Sequence, residues 1–211
     1  MRPFDLRLYV ITDARLARGR DQVELIAAAL RGGATMVQLR DKELPARDQH
    51  ALGLRLRELT RQRGVALIVN DRVDLALALD ADGVHLGQDD LPPSVARALL
   101  GPDRIVGVSA GSPAELELVR RDGADYLGSG PFGPTGSKGD AGAAIGAAGI
   151  ARLRALTDRP IVAIGGLTAA TAGEAIGAGA SGVAVISAVI SAADPELAAR
   201  QLRQAVDAAR P

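Results

Sequence analysis

Eight short aliphatic runs, each followed by a helical pattern, divide the chain, and this recurrence restricts the fold more than any other feature. The runs are Leu6–Ile11, Met36–Leu39, Ala66–Val69, Gly83–Leu86, Ile105–Val108, Tyr126–Gly128, Ile161–Ile164 and Gly182–Ile186. Each reads as a buried strand, apolar throughout rather than alternating. Between them, apolar residues return at helical spacing, as at Val23, Ile26, Ala27 and Leu30 in Gln22–Arg31 and at Leu52, Leu56 and Leu59 in Arg47–Arg63. Further helices are predicted over Ser94–Leu100, Pro113–Arg121, Ala147–Leu156, Ala169–Gly177 and Glu196–Ala208. Most helices end in a similar phrase (GGATMV, RGVALIV, DADGVHL, DGADYLG, GAGASGVAV), in which a glycine is expected to take the left-handed conformation before the chain re-enters a sheet.

A strand–helix unit of about 25 residues repeated this way predicts an α/β fold, the parallel (β/α)₈ or TIM barrel. The alternative is a doubly wound open sheet, which explains the alternation equally well. Eight even units with no long excursion favour closure. At 211 residues the barrel would be compact against a usual size of about 250 residues. No linker or composition shift marks a second domain, so residues 1–211 are expected to form one barrel domain.

Composition excludes several classes of function. With aromatics at 2% and a formal net charge of zero, the chain offers neither stacking platforms nor a basic surface for nucleic acid. The absence of cysteine removes disulfides, thiolate nucleophiles and thiolate-ligated metals. No apolar stretch reaches the roughly 18 residues of a membrane span, and the opening MRPFDLRLYVITD has no signal-peptide core. The cytoplasm is the expected location, with small molecules rather than nucleic acid or membrane as partners. A homo-oligomer is compatible with all of this.

In a barrel of this kind, active sites lie at the C-terminal ends of the strands. Polar residues of mixed charge gather at just those positions: Thr12-Asp13, then Gln38 to Lys42, Asn70-Asp71, His85 with Gln88 to Asp90, Ser109, the loop 128–139, Gly165-Gly166 and Ser187. Arg40 and Lys42 share a face if the chain is extended, and suit phosphate as fork and point charge. The bland reading is a solvated charge run with an internal Arg–Asp pair. Asp71 and Asp90 could hold Mg²⁺, which keeps waters and bridges to substrate phosphate, or each could merely cap the helix after it.

Loop 128–139, GSGPFGPTGSKG, packs five Gly and two Pro into twelve residues and carries Lys138. It fits neither the P-loop nor the dinucleotide pattern. Its backbone N–H groups with Thr135, Ser137 and Lys138 suit anion oxygens. Gly165-Gly166 and Ile186-Ser187 occupy the positions where these barrels hold phosphate. His85, on a buried strand, reads as a satisfied core residue, and His50 as a surface one. No Ser–His–Asp arrangement is present.

Taken in order, YVITD (9–13), QLRDK (38–42), VND (69–71), GVHLGQDDLP (83–92), GVS (107–109), YLGSGPFGPTGSK (126–138), IGG (164–166) and GVAVIS (182–187) resemble the thiamine phosphate synthase family. The resemblance spans nearly the whole chain and implies a (β/α)₈ barrel. It also implies a Mg²⁺-dependent transferase that joins a hydroxymethylpyrimidine diphosphate to a thiazole phosphate, with release of pyrophosphate. By that likeness Gln38, Arg40, Lys42, Asn70 and Lys138 hold the diphosphate, with Arg40, Lys42, Lys138 and Ser109 nearest the chemistry. Asp71 and Asp90 hold the metal, and Ser109 lies beside the pyrimidine. Thr135, Ser137, Gly166, Ile186 and Ser187 bind the thiazole phosphate, with Asp41 and Gly136 as further substrate neighbours. The chain departs from the family pattern at Gly133 and Ser137, and after Ser109, where Ala110-Gly111-Ser112 stands and a histidine is frequent. A related thiazole tautomerase and a non-catalytic phosphate-ligand barrel are the alternatives. Retention of Arg40, Lys42, Asn70, Asp71, Asp90 and Lys138 favours the synthase.

Overall fold

The computed structural model describes residues 4–120, 123–136 and 142–210, and shows a closed parallel barrel. Its strands are β1 (Leu8–Ile11), β2 (Met36–Leu39), β3 (Ala66–Asn70), β4 (Gly83–Leu86), β5 (Ile105–Ser109), β6 (Tyr126–Ser129), β7 (Ile161–Ile164) and β8 (Gly182–Val185). Closure, which the repeat alone left open against an open sheet, is settled by β1: Tyr9 registers with Met36 of β2 on one side and Ala184 of β8 on the other. The helices are α1 (Ala14–Ala17), α2 (Gln22–Arg31), α3 (Ala46–Arg63), α4 (Val73–Ala78), α5 (Pro93–Leu100), α6 (Pro113–Arg120), α7 (Gly146–Arg154), α8 (Ala169–Gly177), α9 (Ser187–Ile190) and α10 (Pro195–Ala208). The one-turn helices α1 and α9 lay below the resolution of the periodicity. None of the described helices is long and apolar enough to cross a membrane.

Partners in parallel register share a face of the sheet. The barrel wall therefore has two chemically distinct sides. Val10, Val37, Leu39, Leu67, Val69, Val84, Leu86, Val106, Val108, Leu127, Val183 and Val185 are buried against the helices. The opposite side, running through Tyr9, Gln38, Asn70, His85, Gly107, Tyr126 and Ser109, points into the barrel and carries its polar groups. The strands thus alternate after all, aliphatic outward and mixed inward, although nearly every position is buried.

Local sequence explains the element ends. Asp21 accepts from Val23 N at 2.8 Å and starts α2, and Asp194 accepts from Leu197 N at 3.0 Å with Pro195 as the first helical residue of α10. Gly33, Gly64, Gly123 and Gly179 take positive φ before their strands, as expected. The DADG turn differs: the left-handed residue is Asp80, at φ 48°, and Gly83 lies inside β4. Its glycine answers to space, since a Cβ there would sit 2.1 Å from the Ile105 carbonyl oxygen.

At the N-terminal rim, two Asp–Arg clamps repeat between alternate strand pairs. Asp82 accepts from Leu67 N and pairs with Arg57 at 2.5 Å, while Asp125 accepts from Val106 N and pairs with Arg97 at 2.6 Å. These contacts fasten helices to strands at the end of the barrel away from the site.

Candidate active site

The C-terminal rim surrounds a cavity of about 590 Å³, within the size range of small-ligand sites. Arg40, Lys42, Asn70, Asp71, Asp90, Ser109, Thr135, Gly166, Ile186 and Ser187 all line it. The strand ends bring together residues spread over most of the sequence.

At the end of β1, Thr12 Oγ1 donates to the Arg40 carbonyl at 3.0 Å and accepts from Arg40 N at 2.9 Å. Asp13 accepts from Leu16 N, which starts α1, and pairs with Arg40 Nη1 at 3.0 Å. Both charged groups are almost wholly buried, at 8% and 4% exposure. The internal partner of Arg40 is therefore Asp13, at the end of the neighbouring strand β1, and not the adjacent Asp41. Asp41 turns its Oδ1 to Glu43 N and Leu44 N, at 2.9 and 2.7 Å, and so shapes the loop that presents Lys42. Neither Asp41 nor the exposed Gly136 lines the main cavity, and Gln38 borders a smaller space beneath it.

The two carboxylates expected to hold metal stand side by side after β3 and β4. Asp71 has φ 61°, a conformation few residues other than glycine adopt, and its N–H donates to the His85 carbonyl at 2.8 Å. Asp90 accepts from Gly87 N at 2.6 Å. Neither caps a helix: the cap positions of α4 and α5 are Arg72 and Pro92, and neither makes a side-chain cap bond. Burial, then the hydrogen-bonding Asp90 carboxyl, push Asp71 up to about 6 against the opposing pull of Lys42 and Arg40. Two crowded carboxyls facing two cations make a site that a hard divalent cation would relieve. Among the described residues no cluster of three or more His, Cys, Asp or Glu is placed for a metal, so water and ligand oxygens would complete the shell.

The loop after β6 is laced onto the loop after β7. Phe132 N donates to the Ile164 carbonyl at 2.8 Å and Gly133 N to that of Gly165 at 2.9 Å. Gly165 and Gly166 have φ of 90° and 66°, and a Cβ on Gly166 would come within 2.6 Å of Gly133 C and Pro134 O. A Cβ on Gly133 would make only ordinary contact, 3.4 Å from Gly166 O, so the departure at 133 is not forced by space. Ser137 and Lys138 fall outside the described residues. Ser187 opens α9 without capping it, because the cap position, Ile186, carries no side-chain bond.

Sequence reasoning passed over three groups. Asp13 holds Arg40, and its position at a strand end was the available signal. Tyr9 and Tyr126, the only tyrosines of the chain, are both fully buried inside the barrel. They bridge Gln38 to His85, which is bonded through both ring nitrogens yet also forms part of the cavity wall.

A family model described as thiamine monophosphate synthase matches residues 8–189. The thiamine-phosphate synthase of Moorella thermoacetica is 56% identical over 203 residues, covering 96% of this chain and 97% of that protein. That of Xanthobacter autotrophicus is 54% identical over 209 residues, covering 99% of each. Among solved structures, thiamine phosphate pyrophosphorylase from Pyrococcus furiosus superposes with a TM-score of 0.88 at 43% identity, covering 97% of this chain and 96% of that one.

Proposed function

The chain belongs to the thiamine monophosphate synthase family, and from that premise we propose how its cavity carries the family reaction. The enzyme is a transferase acting on small phosphorylated substrates: it condenses the aminopyrimidine diphosphate with the thiazole phosphate to give thiamine phosphate and pyrophosphate. The residue roles that follow are inferred from position and chemistry.

Gln38, Arg40, Lys42, Asn70 and Lys138 bind the diphosphate. Arg40 arrives prepaired with Asp13, so its fork is fixed before substrate enters. The C–O bond to the diphosphate breaks first, its electron pair leaving on pyrophosphate, because the aminopyrimidine delocalises the resulting cation. The thiazole nitrogen then donates its lone pair to that carbon, and no protein base is needed. Asp71 and Asp90 fit Mg²⁺, which when bound supplies charge neutralisation to the leaving group. The remaining stabilisation comes from the fixed cations of this chain, in an electrostatic arrangement prepared before the bond breaks. Ser109 lies beside the pyrimidine. Thr135, Ser137, Gly166, Ile186 and Ser187 hold the thiazole phosphate, so one barrel carries both substrates. Asp41 shapes the loop under Lys42, and Gly136 follows Thr135 in the loop after β6. As a biosynthetic transferase using phosphorylated small molecules, the enzyme works in the cytoplasm.

The observation that carries this reading is the pair Asp71 and Asp90 facing Arg40 and Lys42 across adjacent strand ends. Purified protein given both substrates should release pyrophosphate only with Mg²⁺ present. Conversion of the thiazole phosphate alone would support a tautomerase instead, and binding without turnover a ligand sensor.

A further inference from the structure

The barrel interior beneath the cavity contains an unbroken row of hydrogen bonds. Gln38 Nε2 donates to Tyr9 Oη at 2.6 Å, Tyr9 Oη lies 3.1 Å from Tyr126 Oη, Tyr126 Oη lies 3.0 Å from His85 Nδ1, and His85 Nε2 lies 3.1 Å from Ser109 Oγ. The row crosses β2, β1, β6, β4 and β5, so it depends on closure of the barrel. Space is cleared for it: a Cβ on Gly107 would stand 2.2 Å from Tyr126 Cζ, and one on Gly128 would stand 2.8 Å from His85 Cε1. Both glycines adjoin these rings in register, Gly107 between His85 and Tyr126 and Gly128 beside Ser109.

We propose that this row is polarised from Gln38 to Ser109, and that Tyr9 and Tyr126 are positioning residues that fix the tautomer of His85 and thereby turn the Ser109 hydroxyl proton toward the substrate. The argument is a count of protons. Burial raises the pKa of both phenols, so each keeps one proton to give. Tyr9 accepts from the Gln38 amide and so donates to Tyr126. Tyr126, having accepted, donates to His85 Nδ1. That nitrogen is then unprotonated, the ring proton sits on Nε2, and Nε2 donates to Ser109 Oγ. Ser109 has thereby used an acceptor site and keeps its own proton for the cavity it lines. The partner is an acceptor atom of a planar heterocycle, such as an aromatic ring nitrogen. This last step rests on the reading that Ser109 lies beside the pyrimidine.

Ring ¹⁵N spectra of the substrate-free protein test the polarity directly, with His50→Gln used to assign the two histidines. The expected result is His85 in the Nε2–H form in the wild type, and a mixture of tautomers in Gln38→Met and Tyr126→Phe. Gln38 is linked to His85 through Tyr9 and Tyr126, so a merely structural role would leave the ring of Gln38→Met unchanged. Tyr9→Phe, a milder change, should also mix the tautomers and raise KM for the pyrimidine diphosphate about three- to tenfold, the scale of one neutral hydrogen bond. KM for the thiazole phosphate should hold. An Nδ1–H wild type, or a tautomer indifferent to all three variants, overturns the proposal. Mixed tautomers with an unchanged diphosphate KM overturn the assignment of the Ser109 proton to the substrate. A wild type that releases no pyrophosphate counts instead against the functional reading, and leaves the polarity to the spectra.

Discussion

Replacing Asp71 by Asn should make the metal-free protein more stable while nearly abolishing turnover. Asparagine keeps the shape, tolerates the left-handed backbone at φ 61° and can donate to Asp90 where a carboxylate repels it. The rise of Asp71 from 3.8 to about 6 corresponds to about 3 kcal/mol of differential interaction. The group is only half-buried, so solvent screening reduces this to about 1 kcal/mol. The sign follows from linkage. An acid whose value is raised on folding holds its proton more tightly in the folded state, so stability is highest when acidic and is lost as pH climbs from about 4 through about 6. Above that window the wild type bears the whole cost and Asp71→Asn does not. Thermal melts in chelator should therefore show the variant about 2–4 °C higher at pH 8, the shift expected for 1 kcal/mol in a chain of this size. At pH 4 the two melts should coincide. Titration calorimetry in the presence of pyrophosphate should find Mg²⁺ affinity lost in the variant, and in the wild type weakened below about pH 6 as Asp71 takes up its proton. A variant less stable than the wild type at pH 8, or equally stabilised at both pH values, would refute carboxylate crowding. Full activity would refute the metal assignment.

Three further outcomes follow from the packing. Asp13→Ala strands the buried Arg40 charge and removes the start of α1, so urea unfolding should report a loss of about 3–5 kcal/mol together with a higher KM for the diphosphate. Gly107→Ala drives a methyl to 2.2 Å from Tyr126 Cζ; guanidinium unfolding should show about 1–3 kcal/mol of destabilisation, and unchanged stability would mean the ring has room to move. Gly166→Ala meets a φ of 66° and backbone at 2.6 Å, so steady-state kinetics should raise KM for the thiazole phosphate about tenfold, roughly 1.4 kcal/mol, and leave that of the diphosphate nearly unchanged.

Much of the architecture was legible in the chain because a parallel barrel is a local repeat. Each strand is a short aliphatic run, each helix carries its own periodicity, and the turns between them reuse the same residues. The mixed polar groups were readable as a candidate site because this fold exposes one end of every strand on one rim. Less accessible was anything depending on the pairing of distant units. Arg40 looked able to pair with its neighbour Asp41, but in an extended chain adjacent side chains face opposite ways, and the carboxylate it meets is Asp13, just past the end of the neighbouring strand β1. His85 was recognisable as a satisfied histidine, but it is only partly buried. That it shares a wall with the rim cavity depends on β4 and β5 lying in register.

Asp71 and Asp90 show the same division. Their positions after two strands are sequence facts, and so is the alternative that each caps a helix. The structure removes that alternative by starting both helices without them and by bringing the two carboxyls within hydrogen-bonding reach. By itself, then, the sequence determined the order of strands and helices, the aliphatic shell and the residues gathered at one rim, since these depend on spacing along the chain. Closure, the Asp13–Arg40 pair, the raised Asp71 and the row from Gln38 to Ser109 were decided only in three dimensions. The Asp13–Arg40 and Asp71–Asp90 contacts form only when neighbouring strands pair, and the row from Gln38 to Ser109 only once the barrel has closed, because each is set by register and not by spacing along the chain.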